Sequence, residues 1–258
     1  MIHPRASHVE QPGVVSVKGP NAETFLQSLV SQDVASMPVG AAVPSLLLQP
    51  NGKLLAMFRV VRVEPDEFLL DTDPALAAGL AAGLNRFKIR VKVEIEDRTG
   101  QYVAVRVRGG DEPPEDLLVG VSDHLPDVDA VAVDDETWER YRILRREPKQ
   151  PGDVDDTTIA QEAFLDATHV SFTKGCFVGQ ELVCRIDSRG HVNRYLRLVR
   201  ADEEIAPSDE LELDGRAVGV ITSVARDDQG YVGLATVRRE VEPGARLRAG
   251  EHDVEVVA

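Results

Sequence analysis

Apolar positions along the chain change period several times, and each change predicts an element. Phe25, Leu26, Leu29 and Val30 fall on one face of a short helix whose first turn is marked by Pro20 and Glu23. Two apolar runs, Val43 to Leu48 and Leu54 to Val63, are separated by Pro50-Asn51-Gly52, which predicts a hairpin. Phe68 to Leu70 adds a strand after the Glu64-Pro65-Asp66 turn, and Leu76, Leu80, Leu84 and Phe87 repeat at helical spacing from Pro74 onward. Ile89, Val91, Val93 and Ile95 alternate with Arg90, Lys92 and Glu94, so Lys88 to Glu96 is expected to be a half-buried strand. Tyr102 to Arg108 alternates in the same way. Asp111 to Asp116 and Glu147 to Asp156, acidic and proline-bearing, are expected to be surface connections.

Short helices mixed with alternating strands indicate the α+β class rather than a doubly wound sheet. After Ala201 to Asp209, ADEEIAPSD, the chain becomes strand–turn–strand with glycines from Gly215 to Gly250 as punctuation, which predicts a small antiparallel β-barrel. The expected division is a larger domain over residues 1–195 and a barrel domain over 196–258.

Composition narrows the function classes. The 258 residues, 43% of them hydrophobic, suffice for a sizeable core, and no run approaches the roughly twenty apolar residues that span a bilayer. The opening residues lack the apolar stretch of a secretory signal, so a cytosolic protein without a membrane partner is expected. A net charge of −15 repels a polyanionic duplex, and nucleic acid is not an expected partner. Cys176 and Cys184 are the only cysteines; both are expected to be free thiols in a reducing compartment. Two thiols are too few for an iron–sulfur cluster that takes four, and the histidines show no zinc-binding spacing.

Chemistry concentrates in VSFTKGCFVGQELVCRIDSRGHVNRYLR, Val170 to Arg197. One glycine separates Lys174 from Cys176, and an ammonium near a thiol raises its thiolate fraction. Cys176 is thus a candidate reactive thiol with Lys174 tuning it. Gly175 and Gly179 flank it and permit positive φ and close approach of a ligand. The alternative stands beside this: cysteine is among the residues most often buried, as a small hydrophobe. Cys184, in the alternating Leu182-Val183-Cys184, is expected to be a packed core thiol.

The run Val170 to Glu181, containing Lys174-Gly175-Cys176-Phe177-Val178-Gly179-Gln180-Glu181, resembles the signature of the YgfZ-type folate-binding proteins. These include a mitochondrial iron–sulfur assembly factor and are related to the glycine-cleavage aminomethyltransferases. Arg189-Gly190 with Arg194 and Leu196 is similar to the family's continuation, as is Gln161-Glu162-Ala163 upstream. Gly13 to Val34, Pro50 to Lys53, Leu144 to Glu147 and Ala217 to Val237 extend the resemblance over nearly the whole chain, although Pro148-Lys149 replaces the family's Ala-Gly.

The resemblance implies an aminomethyltransferase-like ring of subdomains around a central channel for tetrahydrofolate or a one-carbon derivative. It implies that Glu162 meets the pterin, whose amine and ring N–H form a donor pair that one carboxylate accepts. Gly175, Gly179, Gln180 and Glu181 would shape the site, and Arg185, Arg189 or Arg194 would meet the anionic tail. Its partners would be iron–sulfur assembly machinery or client iron–sulfur enzymes, engaged transiently. Relatives that are transferases use an aspartate on the strand after the glycine turn; by spacing it would fall at about Met57, or Ala56, and neither moves a proton. That argues against transferase activity. A non-catalytic interaction module with a vestigial folate cavity remains the other reading.

Overall fold

The computed structural model describes residues 5–109 and 114–257. Strands β1 (Ala6–Glu10) and β2 (Gly13–Lys18) precede helix α1 (Ala22–Leu29). Then come β3 (Ala42–Leu48), β4 (Leu54–Glu64), β5 (Glu67–Thr72), helix α2 (Pro74–Asn85) and β6 (Glu94–Asp97). Strands β2 to β6 form a five-stranded sheet in the order β3-β4-β5-β2-β6. The hairpin at Pro50-Asn51-Gly52 pairs Leu48 with Leu54 and Ala42 with Val61, as the apolar pattern predicts. Phe25, Leu26, Leu29 and Val30 are all buried in the core of this sheet, together with Leu80 and Leu84 of α2. Asp73 caps α2 by accepting from the Ala75 N–H, with Pro74 in the first turn.

The expected strand from Lys88 to Glu96 is shortened to Glu94–Asp97. Its neighbour β2 ends at Lys18, where Gly19 turns the chain at φ 134°, so residues before Glu94 have nothing to pair with. Arg90 takes a left-handed φ of 57° and Ile89 is 74% exposed. The preceding backbone serves the start of α1 instead: the Lys92 N–H donates to Asn21 Oδ1, and the Lys92 carbonyl accepts from the Asn21 N–H.

Strands β7 (Tyr102–Arg108), β8 (Glu115–Gly120) and β9 (Val131–Ala132) join β1 in a four-stranded sheet, order β8-β7-β1-β9, before helix α3 (Asp135–Leu144). Of the connection expected at Asp111 to Asp116, residues 111–113 lie outside the described residues, and Glu115 and Asp116 belong to β8. Glu147 to Asp156 has no regular structure, but it is not a surface connection throughout: Gln150, Asp153 and Val154 are buried. Asp153 accepts from Arg142 of α3 and, further on in the chain, from Thr222 and Ser223, so this segment is a polar tie.

A short 3₁₀ turn (Ala160–Ala163) and helices α4 (Asp166–His169) and α5 (Gln180–Arg189) lead to β10 (Arg194–Ala201). Strands β11 (Glu210–Leu213), β12 (Arg216–Asp227), β13 (Gly230–Arg238), β14 (Arg246–Ala249) and β15 (His252–Val256) complete a closed barrel, order β10-β13-β12-β11-β14-β15. The composition change at 201–209 is therefore the connection from β10 to β11, inside the barrel. A middle apolar cluster joins the hairpin to the barrel: Leu46, Leu48 and Leu54 of the hairpin, Ile143, Ala160, Phe177 and Val183, and Leu196, Leu198 and Leu234 of the barrel. Among the described residues no helix is long and apolar enough to cross a membrane.

Candidate functional site

The signature loop runs from Ser171 to Gly179 and is fastened at both ends. At its start, Ser31 just beyond α1 donates from Oγ to the His169 carbonyl at 2.6 Å and accepts the Ser171 N–H at its own carbonyl. Gln32 Nε2 donates to the Thr168 carbonyl. Lys174 Nζ then donates to the carbonyls of Val30 and Gln32, at 2.7 and 2.9 Å, and lies 5.5 Å from the centre of the Phe177 ring. Burial pushes this amine down to about 8, with Asp33 partly opposing the shift. His169, partly buried beside the same junction, is pushed down to about 4 by desolvation.

At the far end Phe177 is buried and its N–H donates to Gln180 Oε1, the first residue of α5. Gly179 adopts φ 78°, and a Cβ there would sit 2.5 Å from the Gln49 carbonyl of the hairpin turn. Only glycine fits, because backbone meets backbone. Between the two fastenings, Gly175 has open space around it and Cys176 is exposed.

Lys174, expected to face the sulfur, sends its hydrogen bonds to the chain beyond α1 instead. Gly179 receives the hairpin backbone rather than a ligand, and Gly175 has no positive φ. Gln180 accepts the Phe177 N–H at Oε1, and Glu181 stands exposed in the first turn of α5. Arg185 and Arg189 are exposed on that helix. Cys184 is exposed too, which corrects its assignment to the core: α5 is helical, and at helical spacing Val183 alone of its residues is buried.

Glu162 lies elsewhere, on the wall of a cavity of about 180 Å³ between the 152–163 segment and the barrel. Asp153, Asp155, Thr158, Arg194 and Thr222 share that wall. The Glu162 carboxylate is buried, accepts the Ile159 N–H at Oε2 and pairs through Oε1 with Arg194 Nε at 3.0 Å. Arg194 therefore meets the carboxylate rather than standing free for an anionic tail. Each carboxylate oxygen keeps a further lone pair for a donor. The volume is below the roughly 300 to 1,000 Å³ typical of pockets that bury whole drug-sized ligands. It is a space for a small head group rather than for a whole ligand of that size.

Sequence reasoning missed an ionic cluster between the two sheets. Arg59 of β4, Asp71 of β5, and Arg106, Arg108 and Asp116 of β7 and β8 face one another across the gap. Asp71 is buried and held by Arg59 and Arg106; Arg108 joins Asp116 to Glu147, and Arg59 also donates to the Asp116 carbonyl. The arginines hold the Asp116 carboxyl below the usual carboxylate range despite its burial. The available signal was arginine at alternate positions of strands that are otherwise apolar. Among the described residues no group of three or more His, Cys, Asp or Glu is arranged to hold a metal ion.

The model of the GCVT N-terminal domain family matches residues 7–124. The tRNA-modifying protein YgfZ of Vibrio vulnificus is 26% identical, over 96% of this chain and 88% of its own. The mitochondrial iron–sulfur cluster assembly factor IBA57 of mouse is likewise 26% identical, over 90% and 76%. The chain is similar to proteins of the YgfZ type over nearly its whole length, and its first half resembles the GcvT N-terminal domain. Its fold is that of the aminomethyltransferases: the crystal structure of glycine cleavage system aminomethyltransferase T from Bartonella henselae superposes with a TM-score of 0.83 at 16% identity, covering 100% of this chain and 86% of that one. The strand after the glycine turn carries no carboxylate from Leu54 to Val63. Met57 donates its N–H to Gln150 Oε1, accepts from Thr72 Oγ1 at its carbonyl, and packs its side chain against the middle cluster.

Proposed function

We propose that the chain assists the assembly or repair of iron–sulfur enzymes through Cys176 and binds tetrahydrofolate, or a one-carbon derivative, with its pterin against Glu162. The observation that carries the reading is the exposed Cys176 thiol on a loop fastened at both ends. A thiolate in that position can lend one ligand to iron that a client or assembly protein holds by its others, which suits a chain with too few cysteines to hold a cluster alone. The names of the mouse and Vibrio relatives, an iron–sulfur assembly factor and a tRNA-modifying protein, support it.

Glu162 and Arg194 set the polar end of the cavity. Glu162 would accept the pterin amine and ring N–H with its spare lone pairs, and Thr158 and Asp155 line the same wall. Bound folate would supply a carrier for one-carbon groups. Transferase activity is not part of the proposal, because Met57 leaves the strand without a group to orient a proton. A reducing cytosol suits two exposed free thiols. The test is the activity of an iron–sulfur enzyme in cells lacking this chain, restored with the natural protein or with Cys176→Ala. Loss of restoration with an unchanged melting temperature is expected; full restoration by Cys176→Ala would overturn the role of the thiol.

A further inference from the structure

The proposed function makes Cys176 the acting group and leaves open what its neighbour does. A lysine two residues from a thiol invites the assumption that it acts on the sulfur. Its actual contacts are the Val30 carbonyl at 2.7 Å, the Gln32 carbonyl at 2.9 Å and the face of Phe177. The two carbonyls take two of the three N–H donors of the ammonium, and the ring covers one side of it. The two carbonyls belong to Val30, the C-cap residue of α1, and to Gln32 two residues beyond it, next to the helix end whose dipole favours a cation. Phe177, on the other side of Cys176, is itself buried.

We infer that Lys174 is a positioning residue for Cys176: it ties the signature loop to the end of α1, so that the exposed thiol is carried on a short span between Lys174 and buried Phe177. The inference rests on the proposed role of Cys176, but its physical content is independent of that role. Ser31 adds to the same junction by accepting the Ser171 N–H and donating to the His169 carbonyl, so the tie continues through three neighbouring residues rather than one. The amine suits the task in either protonation state, since a neutral amine still carries two N–H donors for two carbonyls. Arginine also offers several N–H donors and a face for the ring, whereas methionine fills the space with none.

The test combines hydrogen exchange with alkylation of the full chain. In Lys174→Met, the amides of residues 171–178 are expected to exchange roughly tenfold faster. The pH midpoint of Cys176 alkylation is expected to stay where it is in the natural protein, and Lys174→Arg to exchange at close to the natural rate. An upward move of the alkylation midpoint with unchanged exchange would overturn the inference and return Lys174 to tuning the thiol. Unchanged exchange and an unchanged midpoint would overturn it as well. If Lys174→Met fails to fold, Lys174→Gln carries the same readouts. Cys176→Ala assayed in parallel on client enzyme activity separates the two claims: a silent Cys176→Ala defeats the functional reading and leaves the exchange result standing.

Discussion

Arg106 grips Asp71 at two points across the gap between the two sheets, Nη1 to Oδ2 at 2.7 Å and Nη2 to Oδ1 at 2.8 Å. Asp71 has no exposed side-chain surface, and Arg59 closes its remaining side at 2.8 Å. A buried pair is costly to assemble and costlier to break, because the surviving partner keeps its charge without compensation. Asp71→Asn is therefore expected to destabilise the chain by about 3 to 5 kcal/mol in urea unfolding. A loss near zero would mean that the arginines find water or Asp116 instead.

Gly179 is fixed by a backbone approach rather than by its own packing. Gly179→Ala forces a Cβ to within 2.5 Å of the Gln49 carbonyl at a φ of 78°. A loss of at least ~1 to 3 kcal/mol is expected from the conformation alone, with faster hydrogen exchange in the first turn of α5. Natural stability in that variant would show that the hairpin turn yields.

Lys174 links the loop to pH. Its folded value of about 8 lies below the ordinary 10.5, so the native state releases a proton before the unfolded chain does. The linked stability is fully present above the unfolded value and is lost as pH falls through about 8. The natural protein is expected to gain stability relative to Lys174→Met as pH rises between 8 and 10.5. Parallel curves across that window would contradict the burial of the amine.

Both cysteines are exposed, so a small disulfide reagent is expected to titrate two thiols per chain without denaturant. A single native thiol, with the second appearing only in urea, would return Cys184 to the interior.

Much of this fold is legible in the apolar pattern, and the exceptions have physical causes. Helix α1, the β3–β4 hairpin and the strand-rich end depend on neighbours close in sequence, and period and turn residues reveal them. Lys88 to Val93 carries a strand's alternation but lacks a partner once β2 stops at Lys18, which no local pattern announces. Cys184 is misplaced by its local pattern because the short run around it fits a strand as well as a helix; the helix turns Val183 inward and Cys184 outward. The chemistry of the signature loop shows in its residue types, but the partners of Lys174 lie 144 and 142 positions away. The Arg59–Asp71–Arg106 cluster is likewise a product of two sheets meeting.

The cavity at Glu162, proposed to take folate, and the thiol at Cys176 are joined in one proposed function, and the measurement that bears on that union is a double-mutant cycle. Iron–sulfur enzyme activity is compared in cells carrying the natural chain, Glu162→Gln, Cys176→Ala and the double variant, with tetrahydrofolate titrated into each purified protein. Glu162→Gln is expected to weaken the titration and lower the activity, and the double variant to do no worse than Cys176→Ala alone. Natural activity in either single variant, or losses that simply add, would contradict the union of the two sites.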